Sequence, residues 1–419
     1  MTAMVKWLRC ILVAALLASA TVGAAGARRA LVYAAIGPEL RAYELDPDSA
    51  TLSPLGSVTL PADIQAGCVQ PDGRQVFVAW SDGTNVSAGS QHGLSAFRFA
   101  TGSGQVQAIG DPVALPSRPI HCSIDPAARH TLVAYTSPSG VTVHPLGSDG
   151  AAGPPLMQPP LMLGIYGHQI LVAPNGRMAI LVARGNVPTA SRKEDPGALD
   201  VLDYRNGLLG NKAAIAPNGG FGFHPRYLDF HPSRPWVYVS LSQQNAIGVY
   251  GIRKDGSLDA ERLFEKSSLA DATRVHPGQL TGALHIHPNG RFVYLANRAI
   301  NATEDQGKPV FAGGENSIAV FGIDRRSGEP TLLQVADTHG IGPAEFAFAA
   351  DGRMLVVANM RRLWVAAAGT LTPVPPSLVL FRVRTDGRLD FVRKYDVESG
   401  DRSLFWMGLG SLPQDLVRR

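Results

Sequence analysis

The stretch LTGALHIHPNGRFVYLANRAI, Leu280 to Ile300, decides the fold. An alternating apolar segment leads into a Pro-Asn-Gly-Arg turn and a second β-rich segment, which predicts a β-hairpin. Strand units that repeat roughly every 50–60 residues are typical of a β-propeller. The same pattern recurs around five other turns, at Pro71, Pro126, Pro174, Pro232 and Ala350.

Each repeat also carries an outer strand pair, such as IAVFGIDRRSGEPTLL (Ile318 to Leu333), and there are seven outer pairs against six inner hairpins. The missing inner hairpin forms if Ala30–Ile36 pairs with a strand in or near Ser403–Gly410. Closure by both chain ends leaves no exposed sheet edge. We therefore predict an all-β fold for residues 28–419, a seven-bladed β-propeller of four-stranded blades whose ring is closed by the N- and C-terminal strands.

Residues 1–27 have the layout of a cleaved secretory signal. Lys6 and Arg9 precede an apolar run, Cys10 to Leu17, and small residues end the segment at Ala25-Gly26-Ala27. The run is too short to span a bilayer, and an uncleaved anchor is the alternative. We expect a periplasmic or secreted protein with no membrane span after cleavage.

The composition excludes several functional classes. The net charge of +4 over 419 residues is diffuse, with no Lys/Arg run, so no nucleic-acid surface is expected. No His/Cys/Asp/Glu cluster has metal-ligand spacing, and neither a phosphate-cradling glycine loop nor a Gly-x-Ser-x-Gly elbow occurs. We expect no metal, no cofactor and a monomer.

Cys68 and Cys122 lie in adjacent inner strands, three and four residues before their turn prolines. The offset of one residue places the two side chains on different faces of their strands, and a disulfide needs Cα atoms within roughly 7 Å. Two buried free thiols are therefore expected, although an oxidising compartment would permit a bridge. The segments Arg298–Asn316 and Met360–Ser377 are predicted to be long loops.

Antiparallel pairing brings two positions of each inner hairpin to one mouth of the central channel, namely six residues before the turn and ten after it. The first position is occupied by Gln65, Ile120 with His121 beside it, His168, Arg226, Gly282 and Ala344. The second is occupied by Ser81, Thr136, Arg184, Ser242, Arg298 and Met360.

His168, Arg184, Arg226 and Arg298 are thus predicted to meet at this mouth. Arginine presents a fork that matches carboxylate or phosphate, so the three guanidinium groups predict an anion site. A histidine among them is a candidate general base with a lowered pKa. The alternative is that the arginines form structural ion pairs, above all Arg184, which we expect to lie next to the acidic segment 193–195.

The other inner-strand histidines are interpreted as structural. His231 and His287 directly precede their turn prolines at the opposite end of the hairpin, and His285 lies in mid-strand.

The hairpins GHQILVAPNGR, HPRYLDFHP and LHIHPNGRFVYLANR carry a resemblance to a known family. The sequence resembles the seven-bladed β-propeller lactonase family of the 6-phosphogluconolactonase and carboxy-muconate lactonizing enzyme type. The resemblance implies that His168, Arg226 and Arg298 are the catalytic residues. The family has a Glu where this chain has Ser242, and commonly an Arg where it has Ala344.

The resemblance implies ring-opening hydrolysis of a lactone, here a small anionic or sugar-derived one. Glu345 is a candidate replacement for the missing carboxylate. The remaining substrate-binding candidates are Arg184, Ser242, His121 and Gln65. The alternative is a non-catalytic periplasmic ligand-binding or scaffolding propeller, and a carboxylate within hydrogen-bond reach of His168 would favour catalysis.

Overall fold

The computed structural model describes residues 29–84, 86–100, 105–367 and 369–412. The predicted signal segment 1–27 lies outside these ranges. The described chain is built from β-strands, with one short 3-10 helix, Pro217–Gly220, among the described residues. No helix in the part of the chain that the structure describes is long and apolar enough to cross a membrane.

Seven sheets follow one another along the chain as blades, each built from antiparallel strands. From the innermost strand outward, the first blade consists of β4 (Asp63–Val69), β5 (Gln75–Ser81), β6 (His92–Ala100) and β7 (Gln105–Ala114), the second of β8 (Pro119–Ile124), β9 (His130–Thr136) and β10 (Ser139–Pro145), and the third of β11 (Gly167–Val172), β12 (Met178–Ala183), β13 (Ala198–Arg205) and β14 (Leu208–Ile215). The fourth blade consists of β15 (Pro225–Phe230), β16 (Trp236–Leu241), β17 (Ala246–Gly251) and β18 (Phe264–Ser267), and the fifth of β19 (Leu280–Ile286), β20 (Phe292–Arg298), β23 (Ser317–Ile323) and β24 (Pro330–Asp337). The sixth blade consists of β25 (Pro343–Phe348), β26 (Met354–Asn359), β29 (Ser377–Val383) and β30 (Leu389–Asp396), and the seventh of β31 (Leu404–Ser411), β1 (Ala30–Ile36), β2 (Glu39–Asp46) and β3 (Thr51–Thr59).

The last of these sheets combines both ends of the described chain. β1 pairs with β31 in antiparallel register from Ala30↔Ser411 to Ile36↔Leu404. β31 also packs against β4 on one side and β25 on the other. The N- and C-terminal strands therefore share one blade.

Two details differ from seven uniform four-stranded blades. The blade that begins with β8 has three strands among the described residues. The segments predicted to be loops contain two hairpins, β21 (Ala302–Asp305) with β22 (Lys308–Phe311) and β27 (Leu363–Ala367) with β28 (Thr370–Val374). A parallel bridge from Val310 to Trp364 joins them into an eighth sheet. The loop prediction was wrong here because each segment is long enough to pair with itself.

Hydrogen bonds at equivalent positions tie the fourth blade to the fifth and the fifth to the sixth. His231 Nε2–H donates to the carbonyl oxygen of Gly290, and His287 Nε2–H donates to that of Gly352, both at 2.9 Å. Their Nδ1 atoms accept backbone N–H groups of their own turns. The structural interpretation of these two turn histidines is confirmed.

Cys68 and Cys122 form a disulfide, with their Cα atoms 5.5 Å apart. The prediction of free thiols was wrong because the face argument holds only for strands within one sheet. Neighbouring blades pack face to back, so side chains on opposite faces of adjacent inner strands point towards each other. The disulfide joins β4 to β8 across this contact.

Loss of this disulfide should lower the free energy of unfolding by roughly 2–4 kcal/mol, because it closes a long loop in the unfolded chain. The two cysteines are 54 residues apart. Urea unfolding with and without reductant measures the effect. In the matched control, the Cys68→Ala/Cys122→Ala variant, reductant should change nothing. Equal midpoints for the reduced and oxidised wild-type protein would contradict the prediction.

Candidate active site

A β-bulge interrupts each inner hairpin at the same place. The pairing shifts between Gly167 and Gln169 in the third blade and between Pro225 and Leu228 in the fourth. Bulges re-aim side chains and are common beside active sites. The residues left unpaired in this way are Gln65, Ile120, His168, Arg226 with Tyr227, Gly282 with Ala283, Ala344 and Phe405.

A cavity of about 790 Å³ lies where the inner strands converge. Its size suits a small ligand. All seven blades contribute to its wall, and the lining includes His168, Arg184, Arg226 and Arg298. The structure therefore places the four residues predicted at the channel mouth in one cavity.

Two further arginines, Arg118 and Arg361, line the same cavity. Neither was found from the sequence, because both lie in connecting segments outside the inner strands. Arg118 Nε–H donates to Gln65 Oε1 at 2.9 Å, which gives the predicted residue Gln65 a positioning contact. The Nε atoms of Arg226, Arg298 and Arg361 are buried and have no hydrogen-bond partner among the described residues.

None of these five arginines forms an ion pair within the described ranges. The expected pairing of Arg184 with the acidic segment was wrong. Glu194 pairs with His224 at 2.9 Å, and Asp195 accepts a hydrogen bond from Asn186. The Arg184 guanidinium instead lies over the ring of Tyr166, 4.1 Å from its centroid.

The positive charges repel one another in a buried setting. Burial, followed by the charge of Arg226, lowers the pKa of Arg298 to about 9 and that of Arg184 to about 10. Both groups still carry their charge at neutral pH. An anion entering the cavity would relieve the repulsion and satisfy the unpaired donors, which is how proteins recognise carboxylate and phosphate.

His168 is 4% exposed, and its ring meets the ring of Tyr227 edge-on with centroids 5.0 Å apart. Its Nδ1 has no hydrogen-bond partner in the part of the chain that the structure describes. Burial, with the charges of Arg226 and Arg184, holds the pKa of His168 well below its usual value. The imidazole is therefore neutral at pH 7 and has a free lone pair with which to accept a proton.

The carboxylate considered for His168 has another partner. His285 Nε2–H donates to Glu345 Oε1 at 2.9 Å, and both residues line the cavity. The interpretation of His285 as a structural residue was wrong, because mid-strand residues of an innermost strand also face the channel, and His285 lines the cavity. The signal available in the sequence was a charged or ionisable residue within an otherwise apolar inner strand, as at Asp229, His285 and Glu345.

Of the remaining candidates, His121 lies in the cavity wall and Ser242 does not. His121 lines the cavity, where burial and then the nearby His285 lower its pKa to about 3. Ser242 does not line it: the residue is buried, and its hydroxyl donates to the carbonyl oxygen of Thr281 at 3.1 Å. Ser242 directly follows Leu241, the last residue of β16, and lies outside the bulge of that hairpin. No metal-binding group of three or more His, Cys, Asp or Glu residues occurs in the described parts of the chain.

Comparisons with known proteins agree with this architecture. The family model described as "Lactonase, 7-bladed beta-propeller" matches residues 30–159 and 199–366. The 6-phosphogluconolactonase of Bacillus subtilis (strain 168) is 26% identical over 276 residues, covering 65% of this chain and 72% of the relative. That of Serratia proteamaculans (strain 568) is 25% identical over 324 residues, covering 68% and 88% respectively.

Among solved structures, the periplasmic gluconolactonase PpgL of Pseudomonas aeruginosa superposes with a TM-score of 0.69 at 21% identity, covering 92% of this chain and 100% of that one. At this identity the likeness shows the fold alone. The family model, by contrast, covers well over half of the sequence. The chain belongs to the seven-bladed β-propeller lactonase family.

Proposed function

We propose that this protein hydrolyses a lactone that carries an anionic group or derives from a sugar. The observation that carries the proposal is a cluster of five guanidinium groups, none with an ion-pair partner among the described residues, beside a neutral imidazole in one cavity. The names of the relatives, 6-phosphogluconolactonases, support the same substrate class.

The arrangement gives each group a role. Arg226 and Arg298 hold the substrate anion and stabilise the negative charge that develops on the carbonyl oxygen. His168 accepts a proton from the attacking water, since its neutral state leaves a lone pair available at physiological pH. Arg184 joins the anion site, because its guanidinium lies in the same cavity and lowers the pKa of His168.

Export is part of the proposal. The N-terminal segment 1–27 has the composition of a secretory signal. The disulfide between Cys68 and Cys122 supports a compartment that permits such bonds, the periplasm or the exterior. We also propose that the pairing of β1 with β31 closes the ring of blades.

A non-catalytic binding propeller is the second candidate. It is favoured by one observation, that no carboxylate among the described residues hydrogen-bonds to His168. The cavity does contain a carboxylate-paired imidazole, His285 with Glu345, which supports the catalytic alternative.

A lactone panel separates the two candidates. The purified protein should hydrolyse anionic aldonolactones with a lower KM than neutral ones, measured by proton release. The Arg226→Ala and Arg298→Ala variants should each weaken binding of the product anion by about 1.5–3 kcal/mol in calorimetry, because each removes a charge-assisted contact.

Arg325→Ala, an exposed arginine outside the cavity, is the matched control and should bind as the wild type does. Anion binding without turnover of any lactone would support the binding propeller instead. Unchanged affinity in both cavity variants would exclude the anion site.

A further inference from the structure

Two histidines of the cavity lie in opposite electrostatic settings. His168 is surrounded by guanidinium groups, whereas His285 is hydrogen-bonded to a carboxylate. Enzymes that need both a base and an acid at one pH separate the two roles by such environments. The proposed hydrolysis needs both, since water must lose a proton and the departing ring oxygen must gain one.

The geometry of the hydrogen-bonded pair His285 and Glu345 suits proton donation by His285. His285 uses Nε2 for Glu345, and its Nδ1 has no protein partner among the residues the structure describes. Its ring packs edge-on against Phe346, 4.9 Å between centroids, which fixes the plane of the imidazole. The His285 side chain is 36% exposed within the cavity, whereas that of Glu345 is 16% exposed. A held imidazole with one nitrogen open to the ligand space is the arrangement of a proton donor.

The charged neighbours favour the imidazolium. Burial lowers the pKa of His285, but the hydrogen bond and charge of Glu345, with the charge of Asp229, outweigh it and raise the pKa above its usual value. Asp229, from the fourth blade, is fixed by the backbone N–H of Ile286 at 2.9 Å. His121, which faces His285 from the second blade, has a pKa of about 3 and is neutral. Tyr227 also lies near Glu345, and burial raises its pKa, so its hydroxyl is neutral as well.

We propose that His285, held by Glu345, is the general acid that protonates the leaving oxygen during ring opening; this rests on the lactone hydrolysis proposed above. Water adds to the carbonyl carbon and gives a proton to His168. The bond between the acyl carbon and the ring oxygen breaks, and His285 gives its Nδ1 proton to that oxygen. One water is consumed, a hydroxy acid forms, and the proton on His168 returns to His285 through solvent.

The need for such an acid depends on the leaving group, and this gives a sharp test. δ-Valerolactone and dihydrocoumarin are both neutral six-membered lactones. The first must expel an alkoxide, whose alcohol has a pKa near that of water, about 16. The second expels a phenoxide, whose phenol resembles tyrosine with a pKa of about 10 and leaves without help. Only the first reaction requires the proton.

The His285→Gln variant should therefore lose roughly 100-fold or more in kcat on δ-valerolactone and less than about fivefold on dihydrocoumarin. His276→Gln replaces an exposed histidine outside the cavity and should match the wild type on both substrates. Thermal melts establish that the variants are folded. Equal losses on the two lactones in a folded His285→Gln variant would overturn the assignment.

Glu345 is a positioning residue, and its role is tested by the pH dependence of the activity. Activity on δ-valerolactone should fall as pH rises through the pKa of His285, because the acid must be protonated. Glu345→Gln removes the charge that raises this pKa, so the descending limb should move to lower pH. An unmoved limb would overturn the role of Glu345. A wild-type protein that hydrolyses no lactone would overturn the proposed function itself, which distinguishes the two failures.

Discussion

A chain that ends at Ser403 should lose cooperative unfolding. The missing strand, β31, supplies seven paired positions to β1 and packs between β25 and β4. Its removal exposes the backbone groups of β1 and uncovers the apolar surface that packs on Leu404 and Met407, both essentially buried. The loss should approach the whole stability of a typical domain, about 5–15 kcal/mol.

Calorimetric and circular-dichroism melts measure this effect, and rescue in trans is the control. A synthetic peptide of residues 403–412 should restore a sharp transition to the truncated protein, because it returns the same strand to the same edge. A truncated protein that melts as sharply as the full chain, at the same temperature, would show that both termini are not needed to close the ring.

Replacement of His168 should produce a large catalytic loss. His168→Ala removes the proposed proton acceptor, so kcat should fall by roughly 100-fold or more, the usual contribution of a general base. KM should change little, since the arginines hold the anion. Steady-state kinetics on an aldonolactone measure both constants. A fall in affinity with kcat preserved would assign His168 to binding.

The pH profile gives an independent check on His168. Its pKa is held well below the usual value by burial and by Arg226 and Arg184, so the wild-type enzyme should show no acidic limb near pH 6–7. Arg226→Ala removes one positive neighbour and moves the pKa of His168 upward. An acidic limb should then shift to higher pH, because the base must be unprotonated to act.

The sequence located His168, Arg226 and Arg298 to the residue, but not Ser242, which holds the position of Arg298 in its own hairpin and does not line the cavity. The position six before each turn is unpaired by a bulge in all six inner hairpins that carry a turn, and it includes His168 and Arg226. This succeeded because a hairpin fixes its register locally, through turn chemistry and the period-two alternation of side chains. Arg298 was placed correctly for the same reason.

The periodicity of the sequence by itself predicted the strand repeat, the pairing of the two terminal strands and four of the cavity residues. The tertiary structure alone decided that Cys68 meets Cys122, that His285 binds Glu345, that Arg118 and Arg361 join the cluster, and that two inserted hairpins form a sheet. Each of these contacts joins different blades. Hydrogen-bond register and turn residues are encoded within a few residues of sequence, whereas the face that one blade presents to the next depends on how whole sheets stack around the channel.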